Sequence, residues 1–166
     1  MIRKILFFLF IATISLQARS EIQWTPVLQQ TAMYYASDRV TADGIGPATG
    51  VNITWNENFI GQIDIGVLWG NGNSVPMRFA LGYQKSGKWN PAVYGTFGLL
   101  FGQRTEVLSE DGRRPAIPVW NAGLRIAPLR FESAFGVASA FEIGYGIGPD
   151  NGTNLELTIL SVGLTL

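Results

Sequence analysis

The sequence predicts an all-β fold, an eight-stranded antiparallel up-and-down transmembrane β-barrel. Three observations carry this expectation. Apolar residues alternate with small or polar ones in segments of about ten residues, the period of a strand with two different faces. Clusters of Gly, Asn, Asp, Pro and Ser separate the segments. The second face is small and weakly polar rather than charged, which suits a narrow lumen inside a wall that meets hydrocarbon.

Composition narrows the function classes. The 166 residues favour one domain, and with 47% hydrophobic and 14% charged residues the chain is too apolar for disorder. It has no cysteine and no histidine. Disulfides, zinc-thiolate sites, cysteine nucleophiles, Ser-His-Asp triads and imidazole metal sites are therefore excluded. Twelve basic residues balance twelve acidic ones, so the electrostatic footprint of a nucleic-acid binder is absent.

Residues 1–20 read as a secretory signal peptide. Arg3 and Lys4 precede an apolar run from Ile5 to Leu16, and Ala18-Arg19-Ser20 supplies a small-x-small site. The run is shorter than the ~20 residues of a spanning helix. Removing Arg3, Lys4 and Arg19 from the twelve basic residues leaves nine against twelve acidic ones, a net charge of −3. The barrel domain is then 21–166.

Eight segments follow. The first, about 24–35, has faces that the alternation leaves open. The second sets Val51, Ile53 and Trp55 against Gly50, Asn52 and Thr54. The third sets Phe59, Ile63, Ile65, Val67 and Trp69 against Ile60, Gln62, Asp64 and Leu68. In the fourth, Val75, Met77, Phe79, Leu81 and Tyr83 oppose Pro76, Arg78, Ala80, Gly82 and Gln84. In the fifth, Val93, Phe97, Leu99 and Phe101 oppose Tyr94, Thr96, Gly98 and Leu100. The sixth sets Trp120, Ala122, Leu124 and Ile126 against Asn121, Gly123 and Arg125. The seventh sets Phe135, Val137, Ser139, Phe141, Ile143, Tyr145 and Ile147 against Ala134, Gly136, Ala138, Ala140, Glu142 and Gly144. The eighth sets Leu160, Val162, Leu164 and Leu166 against Ser161, Gly163 and Thr165. The expected connections are 36–46, 56–58, 71–73, 85–90, 104–117, 127–131 and 148–154, with Pro128 at a segment edge.

The first-named faces are apolar and nearly uncharged, and only a closed barrel satisfies every backbone group of such strands in lipid. The tryptophans agree. With the N-terminus in the periplasm, Trp24, Trp55 and Trp89 fall at one end and Trp69 and Trp120 at the other, forming an aromatic girdle at each interface.

In strand count, length, alternation of long loops with short turns, and a terminal strand over 155–166, the mature chain resembles small eight-stranded bacterial outer-membrane barrels of the OmpA-domain, OmpX/Ail and OmpW kind. The resemblance implies location in the bacterial outer membrane and contact with its lipid and lipopolysaccharide. It also implies assembly by the barrel-assembly machinery through the C-terminal strand. Members of the group commonly end in Phe or Trp, whereas this chain ends in Leu166.

Charges on the small-residue face need partners. Asp64 and Arg78 are expected opposite each other across the turn at 71–73, and Arg125 and Glu132 across a turn around Leu129. Glu142 lies higher with no assigned partner. Together these five form a lumen charge network with no metal and no cofactor. Some small barrels act on lipid A, but Ser133, Ser139 and Ser161 have no histidine to activate them, so no enzyme is expected. The long connections 36–46 and 104–117 would be extracellular. Their candidates for binding a host or extracellular ligand, or lipopolysaccharide phosphates, are Arg39, Glu110, Asp111, Arg113 and Arg114. The expected role is structural or surface interaction. One alternative is a conduit or binder of small hydrophobic molecules, for which Ile60, Leu68, Tyr94, Leu100, Leu157 and Ile159 are the bulky inward residues. Another is a soluble exported barrel holding a lipid.

Overall fold

The computed structural model describes residues 22–38, 40–70, 73–102, 105–106 and 118–164. The expected signal peptide lies outside them. The assigned strands are β1 (Gln23–Ala36), β2 (Val40–Trp55), β3 (Phe59–Gly66), β4 (Ser74–Gln84), β5 (Ala92–Gly102), β6 (Thr105–Glu106), β7 (Val119–Ala127), β8 (Leu129–Ser133), β9 (Gly136–Gly148) and β10 (Gly152–Leu164). All pairings are antiparallel. β1 pairs with both β2 and β10, so the sheet has no free edge and closes as an eight-stranded barrel.

Eight walls arise from ten strands because the two-residue β6 only adds to the loop end of β2, and because β7 and β8 are one wall, interrupted at Pro128. β7 meets β9 from Ala122↔Ile147 to Ile126↔Ile143, and β8 continues the same register from Leu129↔Ala140 to Ser133↔Gly136. Proline has no N–H for the ladder. Across the break Phe141 takes a φ of 53°, and both walls bulge there. The chain therefore does not turn at 127–131; it reverses at Ala134 and Phe135. The bulge also shifts the inward face. Below Phe141, Val137 and Ser139 point into the lumen rather than outward, while Phe141, Ile143, Tyr145 and Ile147 above it stay outside.

Strand β10 carries a second irregularity. Its register with β1 slips between Gln30 and Thr31, which leaves Ile159 as the extra residue. Ser161 and Gly163 are inward below the slip, and Asn154, Glu156 and Thr158 above it, so Leu157 stands with Leu155 rather than in the lumen. Strand β1 turns out to bury its odd residues, Thr25 through Tyr35.

The expected loop at 36–46 is mostly strand. The β1–β2 ladder runs unbroken from Gln23↔Thr54 to Ala36↔Thr41. Val40 and Ala42 face the lumen, and Asp43 lies on the strand. β1 ends at Ala36 and β2 begins at Val40, and Ser37 N donates to Val40 O at 2.9 Å. The base of the 104–117 connection joins this hairpin through β6, by Val40↔Glu106 and Thr41↔Thr105. The walls thus have a turn end, carrying the start of β1 and the 56–58, 85–91 and 134–135 reversals, and a loop end.

Candidate functional site

The lumen has three tiers. At the loop end Met33, Tyr35, Val40, Ala42, Leu68, Leu100 and Val119 form an apolar plug, and the Tyr35 hydroxyl donates to Pro149 O at 3.0 Å. Toward the turn end Ile60, Ala80, Ala92, Tyr94 and Ala127 form a second apolar cluster. Between them lies a belt of charge.

Arg78 is the first hub of the belt. It is the register partner of Asp64 on β3, and its Nε donates to Asp64 Oδ1 at 2.5 Å. Its other nitrogens cross the lumen. Nη1 lies 3.6 Å from Glu156 Oε2 on β10, and Nη2 donates to Gln29 Oε1 at 3.4 Å and Thr31 Oγ1 at 3.3 Å on β1. Arg125 is the second hub. Its Nε lies 3.5 Å from Glu142 Oε2, its Nη2 donates to Gln62 Oε1 at 2.8 Å, and the guanidinium sits 4.8 Å over the Tyr94 ring. Gln62 joins the hubs, because its Nε2 donates to Asp64 Oδ2 at 2.9 Å. Ser139 Oγ donates to Glu142 Oε1. Asn154 Nδ2 donates to Glu156 Oε1 at 2.7 Å and Asn121 Oδ1 at 3.3 Å.

The small residues of the inward face make room for this belt. A Cβ at Gly144 would stand 3.3 Å from the Cβ of Glu156 and 3.7 Å from that of Arg125, and one at Gly98 would press on the Asn121 amide at 2.8 Å. Side chains from opposite walls satisfy one another, so charges that would be costly alone are held in low dielectric.

The outer surface is the reverse. Leu28, Leu81, Leu124, Ile143 and Leu164 are more than half exposed. All five tryptophans stand outside. Trp24, Trp55 and Trp89 lie at the turn end and Trp69 and Trp120 at the loop end. Trp55 stacks on Phe59 at 5.9 Å, Phe59 meets Tyr83 edge-on, and Trp89 Nε1 donates to Pro128 O at 2.9 Å. Between the two levels no outward residue of a described strand is charged. Water is a poor solvent for such a band, and lipid a good one. The chain is a transmembrane β-barrel.

No family model matches the chain, and no curated protein is similar to it in sequence. Among solved structures the barrel is similar to Neisserial surface protein A, with a TM-score of 0.57 and 9% identity over 86% of this chain and 97% of that one. Ail, the attachment invasion locus protein of Yersinia pestis, gives a TM-score of 0.46 and 11% identity over 86% of this chain and 98% of that one. At 9% identity the likeness to Neisserial surface protein A speaks for the barrel fold alone.

Of the five expected lumen charges, the barrel brings Asp64, Arg78, Arg125 and Glu142 into one belt. Glu132 stands apart from Arg125, because the turn expected between them does not exist. Its Oε2 accepts from Asn90 Nδ2 at 2.9 Å, near the turn-end mouth. Two further buried charges, Arg130 and Glu156, escaped the alternation. Arg130 falls in the segment that reads as a turn, and Glu156 faces inward only because of the slip at Ile159. The surface candidates Arg39, Glu110, Asp111, Arg113 and Arg114 lie outside the described residues.

Proposed function

We propose that this transmembrane barrel is a non-enzymatic integral protein of the bacterial outer membrane, with a structural role in the lipid and a surface-interaction role at its loop end. The observation that carries the reading is the belt, in which Arg78 and Arg125 link walls across the lumen between two apolar tiers. A lumen filled in this way supports a closed barrel rather than a diffusion pore. A conduit for hydrophobic molecules needs an unbroken apolar path, and the belt interrupts it. A water-soluble lipid carrier would not put Leu28, Leu81 and Leu124 on its outside.

In this reading the turn end faces the periplasm, and β10, which closes on β1, is the strand offered to the assembly machinery. The β2–β6 pairing supports joint action of the two long connections, since it ties the base of 104–117 to the 36–46 hairpin. Arg113 and Arg114, with Arg39, Glu110 and Asp111, are then the residues for lipopolysaccharide phosphates or an extracellular ligand.

The test has two parts. The protein should fractionate with outer membranes, migrate differently on gels before and after boiling, and give no discrete conductance in planar bilayers. Recovery as a soluble periplasmic monomer, or stable ohmic channels, would overturn the closed-barrel reading. Replacing 107–115 by a short Gly/Ser bridge should keep the boiling-dependent shift and abolish binding of cells to lipopolysaccharide or host matrix proteins. Unchanged binding would remove the surface role from this connection.

A further inference from the structure

The outer face of the barrel is apolar except along one seam. On β1 the outward residues between Trp24 and Tyr34 are Pro26, Leu28, Gln30 and Ala32. β2 runs alongside, with Pro47 opposite Gln30 and Thr49 opposite Leu28. Gln30 and Thr49 are the two polar outward side chains of the described strands between the aromatic levels. Thr49 is provided for, because its Oγ1 donates to Val27 O at 3.2 Å. The Gln30 side chain is exposed, and its amide has no hydrogen-bond partner among the described residues, although the register slips right beside it. At about 3.3 Å per residue it stands roughly 13 Å along the strand from Tyr34 and roughly 20 Å from Trp24, too deep to reach water at either interface. A bare amide in hydrocarbon is unfavourable, whereas a leucine there, as at position 28, would meet lipid without penalty.

We infer that this seam of β1 and β2 is the contact surface for a second copy of the chain, paired about a two-fold axis along the membrane normal that passes beside Gln30. A primary amide carries both donor and acceptor, so it is its own complement. Nε2 of each Gln30 donates to Oε1 of the other. A two-fold interface sets a residue on the axis against itself, and insertion in one orientation puts both amides at the same depth. Lipid tails offer neither donor nor acceptor. The residues around the amide also let two walls come close. Ala32, Pro47 and Thr49 are small, where other walls carry Phe79, Phe97 or Leu124 at their centres. Small residues beside a hydrogen-bonding one are how spans associate in a bilayer. The inference depends only on the barrel crossing a bilayer, not on its surface role or on which membrane holds it.

The experiment uses the full barrel refolded in phosphatidylcholine vesicles. The chain has no cysteine, so one introduced cysteine gives a unique site. Copies labelled with donor or acceptor dye at Ser86→Cys, in a turn-end reversal, are mixed, and energy transfer is followed as lipid is added. A reversible monomer–dimer equilibrium is expected. Gln30→Leu should weaken it about fivefold to tenfold, the effect of two hydrogen bonds between spans in a bilayer. Thr49→Val should change it less than twofold, since that hydroxyl is engaged within its own barrel. Oxidation of Gln30→Cys should give a covalent dimer, and oxidation of Phe97→Cys, on β5 across the barrel, should not. No transfer at the highest protein load, equal association in Gln30→Leu, or equal cross-linking of the two cysteines would overturn the pairing. So would a Gln30→Leu barrel less stable than the parent when both are diluted to monomers, because the amide would then serve its own wall at the slip. A photoreactive label on Gln30→Cys in native membranes should capture a second copy; consistent capture of a different protein instead would also overturn it.

Discussion

Replacing Arg78 by methionine should cost more stability than any other single truncation in the belt. The arginine contacts Asp64 at 2.5 Å and Glu156 at 3.6 Å, and it reaches Gln29 and Thr31 on the opposite wall. Methionine fills much of the same volume but leaves two carboxylates, with side chains 1% and 5% exposed, without their cation. Removing one partner of a buried pair costs about 3–5 kcal/mol. Most of that cost is the stranded charge rather than the lost contact. The triple variant Asp64→Asn, Arg78→Met, Glu156→Gln should therefore recover more than half of it. The assay is reversible urea unfolding of the barrel in phospholipid vesicles, followed by tryptophan fluorescence and by mobility of unboiled samples. An Arg78→Met barrel within ~1 kcal/mol of the parent would refute the reasoning. A triple variant as unstable as the single one would also refute it, since the loss would then come from packing.

Phe79→Arg and Leu99→Arg should each cost about 2–4 kcal/mol of stability in vesicles, the penalty for a cation at mid-membrane. A parental unfolding midpoint for either would place that residue away from lipid. Gly123→Ala should cost about 1–3 kcal/mol as an overpacked site, because an added Cβ would overlap the Tyr145 carbonyl oxygen and stand 2.5 Å from Gly146 Cα. Gly95→Ala, whose Cβ meets nothing nearer than 3.8 Å, is the control, and the two unfolding midpoints should separate clearly. Trp89→Phe should lose about 0.5–1.5 kcal/mol with the hydrogen bond to Pro128 O, measured as a lowered thermal midpoint.

What alternation makes legible is each wall between irregularities, and what hides is each charge beyond one. Asp64 and Arg78 lie on β3 and β4, where no residue is inserted, so period two alone puts them inside and opposite each other. Arg130 and Glu156 each lie past an extra residue, and one inserted residue exchanges the two faces of everything that follows. Whether a strand bulges is decided by the fit of its neighbours across the ladder, which a local reading does not contain. Pro128 marks one irregularity by its chemistry, though it reads equally well as a turn. Ile159 carries no mark at all.

The charge itself was the missing signal. Carried back along β10 from Leu160, Val162 and Leu164, strict alternation puts Leu155 and Leu157 inside and Glu156 on the outside, where a carboxylate faces hydrocarbon. A strand in lipid does not hold that arrangement when one inserted residue turns the carboxylate toward Arg78. The contradiction between period and charge locates a slip somewhere between Glu156 and Leu160, and the register places it at Ile159. The same argument applies on β8. Counted from Arg125 and Ala127, which face inward, Arg130 falls on the outer side unless the wall gains a residue, and it gains one at Pro128. In a membrane barrel, then, a charged residue out of phase with its strand is evidence for a bulge.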